Sequence, residues 1–222
     1  RLEGYLSQNT LLSLSPRFSY DQDERGDASL ESGYLKTNIG NIAIQAGKDA
    51  LWWGQGQQGS LLLTNNATPL TGVKLSNIEP YKMPKPVAFL GTGNTSVIYS
   101  ELETNRDVPY PSFVGIRTDF TPAKDFTFAF GFTSILGGKG HMLSSGDYKD
   151  WLFGKNAWTD DKWNSIGGVD FRWRLPKLNG IQVYGELYGE DQATSLGFIP
   201  TPSKNSYTAG MYIPRLTANG DW

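Results

Sequence analysis

The sequence contains no cysteine, which excludes a disulfide framework and any thiolate metal site. It has a single histidine, His141, so no multi-histidine metal centre can be built from this chain. No run of about twenty apolar residues occurs, so there is no membrane-crossing helix. Charge is sparse as well: Asp, Glu, Lys and Arg make up 19% of the chain, below the usual quarter of a soluble domain. With a net charge of −2, nothing steers the chain toward nucleic acid, and no such partner is expected. What the chain has in quantity is glycine, 26 residues, and aromatics, 13% with seven Trp. That mixture favours strands and turns over helices.

Period-two alternation gives about ten strand segments: 10–20, 29–39, 42–53, 76–90 (interrupted by prolines), 95–105, 113–121, 126–136, 166–175, 181–190 and 206–213. The clearest is Val169-Asp170-Phe171-Arg172-Trp173-Arg174-Leu175, apolar at odd positions and charged at even ones. Ile181 to Glu190 sets Val183 and Leu187 against Gln182, Tyr184, Glu186, Tyr188 and Glu190. Val114, Ile116 and Phe120 similarly oppose Arg117 and Asp119.

A soluble β-sandwich with one wet face would alternate in the same way. The connections separate the two architectures. Short ones (Gly40-Asn41, Gly91 to Asn94, Pro122 to Asp125, Pro176 to Gly180) alternate with long ones (21–28, 54–75, 106–112, 137–165, 191–205). All short turns therefore fall at one end of the strands and all long loops at the other, as in outer-membrane barrels. The expected fold is all-β: an antiparallel transmembrane outer-membrane β-barrel, with residues 1–222 as one region, incomplete at both ends. The opening at Arg1 without a leader, and Asn219-Gly220-Asp221 read as a hairpin turn before Trp222, carry the expectation of further strands.

In such a barrel the outside contacts outer-membrane lipid, and charged residues must point inward. The expected lumen-facing set is Glu101, Glu103, Arg117, Asp119, Asp170, Arg172, Arg174 and Glu186. Trp52, Trp53, Tyr99 and Trp173, near strand ends, suit interfacial girdles.

The chemical motifs are weak. Gly54-Gln55-Gly56-Gln57-Gln58-Gly59 matches G-x-G-x-x-G, but no long helix follows, so it reads as a Gly-rich loop leaving a strand. Glu101/Glu103, roughly 7 Å apart on one strand face, and Glu190/Asp191 have glycosidase-like spacing, yet a wet lumen displays such pairs anyway. His141 sits in a Gly-rich loop. No catalytic residue, metal site or cofactor is expected, and the chain is not read as an enzyme. Loop 137–165 is more informative. Trp151, Trp158 and Trp163 are interleaved with Asp and Lys, a composition that can stack on sugar rings and bond their hydroxyls; the same residues could instead form the loop's own aromatic core.

The segments Gly47-Lys48-Asp49-Ala50-Leu51-Trp52-Trp53-Gly54-Gln55-Gly56 and Gly59 to Ala67 resemble the Wzi-type capsule assembly family. So do Glu101-Leu102-Glu103 with Arg106-Asp107, and the hairpin from Gly168 to Pro176 leading to Tyr184-Gly185-Glu186-Leu187-Tyr188-Gly189-Glu190-Asp191. The resemblance covers most of the chain in the same order. It implies a barrel of about eighteen strands, a small periplasmic helical part, and a lectin-like role in holding capsular polysaccharide at the bacterial outer membrane.

The first functional reading is therefore a barrel that anchors surface polysaccharide. Trp151, Trp158 and Trp163 would stack on sugar, and Arg106, Asp107, Glu190 and Asp191 would bond it at the rim. The alternatives are a porin-like channel for small polar solutes and a scaffold that docks another envelope protein.

Overall fold

The computed structural model describes residues 1–20, 26–153, 162–196 and 199–214, and the side chains of these except those of 191–203. Among the described residues, twelve strands form one antiparallel sheet. They are β1 (Leu2–Ser7), β2 (Thr10–Tyr20), β3 (Gly26–Ile39), β4 (Ile42–Asp49), β5 (Leu70–Asn77), β6 (Tyr81–Lys82), β7 (Thr92–Glu101), β8 (Ser112–Ala123), β9 (Phe126–Leu136), β10 (Trp163–Leu175), β11 (Ile181–Leu196) and β12 (Ile199–Tyr212). Apart from the two-residue β6, which pairs with the start of β7, every strand pairs with its neighbours in chain order. This is an up-and-down meander, the topology that short hairpins allow. One α-helix, α1 (Ser145–Leu152), lies in the loop between β9 and β10.

Four expectations need correction. β1 was not anticipated, because Leu2 to Ser7 is too short to declare a period. The segment 76–90 is not a strand and the expected loop 54–75 is strand from residue 70: β5 runs Leu70–Asn77, and Pro80, Pro84 and Pro86 divert the following chain into β6 and a 3₁₀ turn at Lys85–Leu90, since proline cannot donate to a ladder. The segment 191–205 is not a loop. β11 and β12 stay paired through it, from Glu190 opposite Lys204 to Leu196 opposite Ile199, with one shift of register between Gln192 and Thr194.

The two ends of the sheet differ as expected, with one exception at each. At one end the connections are 8–9, 40–41, 124–125 and 176–180, and the exception is the long 78–91; at the other they are 50–69, 102–111 and 137–162, and the exception is the tight β11–β12 hairpin. We call these the turn end and the loop end.

The two faces are chemically opposite. Ile116, Phe130, Val169, Phe171, Trp173, Leu187 and Tyr207 share one face and are all exposed. Near the turn end, Phe120, Phe126, Phe128 and Trp173 join this face as a run of ring contacts with centroids 5.2 to 6.5 Å apart. A continuous apolar band ending in an aromatic belt is the lipid-facing surface of an outer-membrane strand set. The opposite face, here the inner face, carries Arg117, Asp119, Asp170 and Glu186.

The core lies on this inner face, where the long connection 50–69 folds back over the sheet. Leu51, Trp53 and Leu62 from that connection are buried against Ile98, Phe113 and Tyr188. Trp53 stands over Gly115, where any side chain would collide with its ring. Trp53 is thus an inward core residue, 5% exposed, and not part of an interfacial girdle; Trp52 also faces inward. Tyr99 and Trp173 are on the outer face, half exposed.

Candidate functional site

The inner face is organised around two buried clusters, one holding Arg117 and Asp170 and the other centred on Glu186. Arg117 on β8 makes paired hydrogen bonds of 2.6 and 2.8 Å to Asp170 on β10, and a second pair of 3.1 and 2.8 Å to Asp119 on its own strand. Tyr188 on β11 donates to Asp170 at 2.6 Å. Both acids and the phenol satisfy the guanidinium fork, so this buried charge is neutralised where it sits.

Glu186 on β11 is the centre of the second cluster. Its Oε1 accepts the backbone N–H groups of Gln55 at 2.9 Å and Gly56 at 2.8 Å. Its Oε2 accepts the N–H of Leu61 at 2.7 Å and the hydroxyl of Ser60 at 3.2 Å. One carboxylate therefore clasps both limbs of the Gly-rich turn. The neck of the loop is closed by the Trp53 N–H bonding to Leu63 O at 2.9 Å. Gly54 and Gly56 serve this turn: a Cβ on Gly54 would run into Ser60 and Glu186, and one on Gly56 into the Gly59 carbonyl oxygen. The G-x-G-x-x-G spacing reflects backbone packing here, and its partner is a carboxylate of the same chain.

Beneath this loop, toward the turn end, lies a cavity of about 560 Å³. The loop supplies its roof, with Trp52 and Gln55. The strands supply the floor: Lys74 and Ser76 from β5, Asn94 and Ser96 from β7, Asp119 and Thr121 from β8, and Arg172 from β10. Gln55 Nε2 ties roof to floor through Asp119 at 3.3 Å. Lys74 lies 3.6 Å from Asp49, which also accepts from Gln45 at 2.6 Å. This cavity was not anticipated, because it forms only when residues 50–69 fold inward.

Of the expected lumen set, Arg117, Asp119, Asp170 and Glu186 come together on the inner face, with Arg172 and Arg174 further along it. Glu101 does not. It pairs with Ser112 in the register of Tyr99 and Val114, so alternation puts it on the outer face. Glu103 lies past the end of β7 and pairs with Arg106 at 3.3 Å. The two glutamates therefore do not share a strand face.

The loop tryptophans are not gathered into one inward patch. Trp158 lies outside the described residues. Trp151, on α1, donates its indole N–H to Ser134 at 3.0 Å and packs on Phe132 at 6.3 Å. Ser134 and Phe132 are outer-face residues, so α1 is tied to the outside of the loop-end rim. Trp163 is the first residue of β10, also outward by register. A capping box from Ser144 to Asp147 fixes the start of α1. The Ser144 backbone N–H, its hydroxyl and Lys162 hold the Asp147 carboxyl below the ordinary carboxylate range. Of the rim residues, Arg106 and Asp107 lie on connection 102–111, which is joined to the next long loop by the Lys139 N–H bonding to Pro109 O at 2.8 Å. Glu190 is on the inner face near the loop end, opposite Ile166. Asp191 follows it in β11. Among the described residues no group of three or more potential ligands is placed to hold a metal.

Comparison with known proteins gives a consistent result. The sequence model of the family described as Capsule assembly protein Wzi matches residues 1–222. A 55.8 kDa protein of the cps region of Klebsiella pneumoniae, described as uncharacterized, is 28% identical over 195 residues, covering 85% of this chain and 36% of that protein. The solved structure of Wzi from Escherichia coli superposes with a TM-score of 0.74 at 22% identity, over 94% of this chain and 45% of that one. That protein is described as an outer membrane protein involved in group 1 capsule assembly and a carbohydrate-binding β-barrel. The chain thus has the fold of part of such a barrel, and spans less than half the length of either relative.

Proposed function

The chain belongs to the Wzi capsule assembly family, and from this we propose that it is part of an outer-membrane barrel that binds and anchors surface polysaccharide. The observation that carries the reading is connection 50–69. It is locked over the inner face of these strands by four hydrogen bonds to Glu186, which supports an anchor over an open channel. A covered inner face with long, interlinked loops is suited to holding a ligand at the surface rather than conducting solutes. The carbohydrate binding described for the Escherichia coli relative supports the same reading.

The proposed contact surface is the loop-end rim: Arg106, Asp107, Glu190 and Asp191 bond sugar hydroxyls and charges, and Trp158 stacks on a ring. Trp151 acts indirectly, by fixing α1 against the outer face, and Trp163, at the start of β10, adds a second ring near the rim. Binding needs no cofactor, and the protein acts as a lectin rather than an enzyme.

The test is co-sedimentation of the full-length, detergent-purified protein with the host's surface polysaccharide. Saturable binding is expected, weakened about tenfold or more, or 1.4 kcal/mol, when Arg106, Asp107, Glu190 and Asp191 are replaced by Ala. No binding to any host polysaccharide overturns the reading.

A further inference from the structure

The cavity under connection 50–69 lies at the opposite end of the strands from the rim. Asn77 and Pro80 on its wall lead into the connection 78–91, and Thr121 and Thr127 flank the tight turn at 124–125. Its volume, about 560 Å³, is within the roughly 300–1,000 Å³ of small-ligand sites. Most such sites are apolar with a few polar groups. This one has the reverse composition: hydroxyls and amides line the floor, and the aromatics are Trp52 in the roof and Trp53, which is itself buried in the core behind it. A ligand that matches it must offer many hydroxyls and a ring face, which is the chemistry of a saccharide.

The charges refine this. Arg117 is held by two carboxylates and Lys74 by Asp49. Arg172 lines the cavity and is exposed, and among the described residues it makes no ion pair or side-chain hydrogen bond. Arg174 follows two residues along the same face, about 7 Å away, and is likewise exposed and without an ion pair among the described residues. The Arg172 guanidinium on the cavity wall offers the planar fork suited to a carboxylate, and Arg174 adds a second positive charge on the same face.

We propose that this cavity is a second saccharide site, facing the turn end, that takes a short acidic segment with its carboxylate on Arg172 and a sugar ring against Trp52. The proposal rests on the polysaccharide-binding reading and adds a site remote from the rim.

The experiment is calorimetric titration of the full-length protein in detergent with trigalacturonate as the acidic probe and maltotriose as the neutral one. Folding of each variant is checked by heat-modifiable electrophoretic mobility. Trigalacturonate is expected to bind at least about tenfold more tightly than maltotriose. Arg172→Gln removes that preference, Arg172→Lys keeps part of it, and Asn94→Leu weakens both probes by narrowing the wall. Lys139→Ala, an exposed loop-end residue outside both sites, leaves the preference unchanged. Equal affinity for the two probes, or an acidic preference that survives Arg172→Gln or is lost with Lys139→Ala, overturns the site. Co-sedimentation with whole polysaccharide is run in parallel. If it persists while trigalacturonate fails to bind, only the inner site is lost; if it is absent from the unaltered protein, the polysaccharide-binding reading itself fails.

Discussion

Arg117 reaches Asp170 across an entire strand. β9 lies between them, and the β9 residues beneath the bridge are Gly131, opposite Arg117, and Ala129, opposite Asp170. The guanidinium and carboxylate meet at 2.6 Å above these small residues, and a Cβ on Gly131 would run into Leu62 and Tyr188, which pack beside the bridge. The bridge joins β8 to β10, so three strands move as one.

That geometry makes Asp170→Ala costly. Arg117 would retain Asp119 but lose its fully buried partner, and an unpaired buried charge costs about 3–5 kcal/mol. Because Asp119 remains, the loss is expected near the lower figure, read as a shift of the urea unfolding midpoint in lipid vesicles. The double change Arg117→Met, Asp170→Leu should recover most of it. A double variant as unstable as the single one would show that the charges are not the source.

Glu186→Ala should free connection 50–69. Hydrogen bonds to a charged group contribute about 1.5–3 kcal/mol each, and four are lost together. The expected result is protease cleavage within 54–61 and a measurable single-channel current where the unaltered protein is silent. An unchanged cleavage pattern and continued silence would show that the apolar contacts of Trp53 and Leu62 hold the loop unaided.

Two glycines of the same loop give a paired comparison. A methyl on Gly56 meets the Gly59 carbonyl, whereas a methyl on Gly59 meets nothing within 4 Å. Gly56→Ala should therefore loosen the loop in the same cleavage assay, and Gly59→Ala should not. Equal behaviour of the two would contradict the tight turn.

The outer face can be tested by charge. Phe130→Lys, in the middle of β9, should destabilise the protein in vesicles by about 2–4 kcal/mol if that residue faces lipid. Ser96→Lys, on the wet inner face, should cost far less. Reversed magnitudes would exchange the two faces.

Loop 137–162 should respond to acid. The Asp147 carboxyl is held below its ordinary value of 3.8, so its contribution is present above that value and is lost as pH falls through the lower, folded-state value. Proteolysis of the loop should accelerate in that acidic range. Asp147→Asn should be cleaved faster near neutrality and no longer differ from the parent at the acid end.

Much of this was determined by the sequence alone. Period-two alternation in Val169 to Leu175 and in Ile181 to Glu190 assigns each residue a face, because successive strand side chains must point oppositely. The register observed between those strands keeps Asp170 with Glu186 and Val169 with Leu187. The spacing of tight turns gave the meander, and the motifs gave the family. The rule that charge points inward has limits at strand ends: Glu101 shares the parity of Val97 and Tyr99 and so faces outward, as the last residue of β7. Alternation also says nothing about proline-rich stretches such as 78–90.

The tertiary structure decided what lies over the inner face. No local pattern announces that residues 50–69 turn inward, because the contact that holds them is a carboxylate 125 to 131 positions away. The same holds for Trp151, whose partner Ser134 is on an earlier strand. Both depend on long-range burial and on backbone amides that find an acceptor only after the sheet has formed, and the cavity beneath the loop exists for that reason.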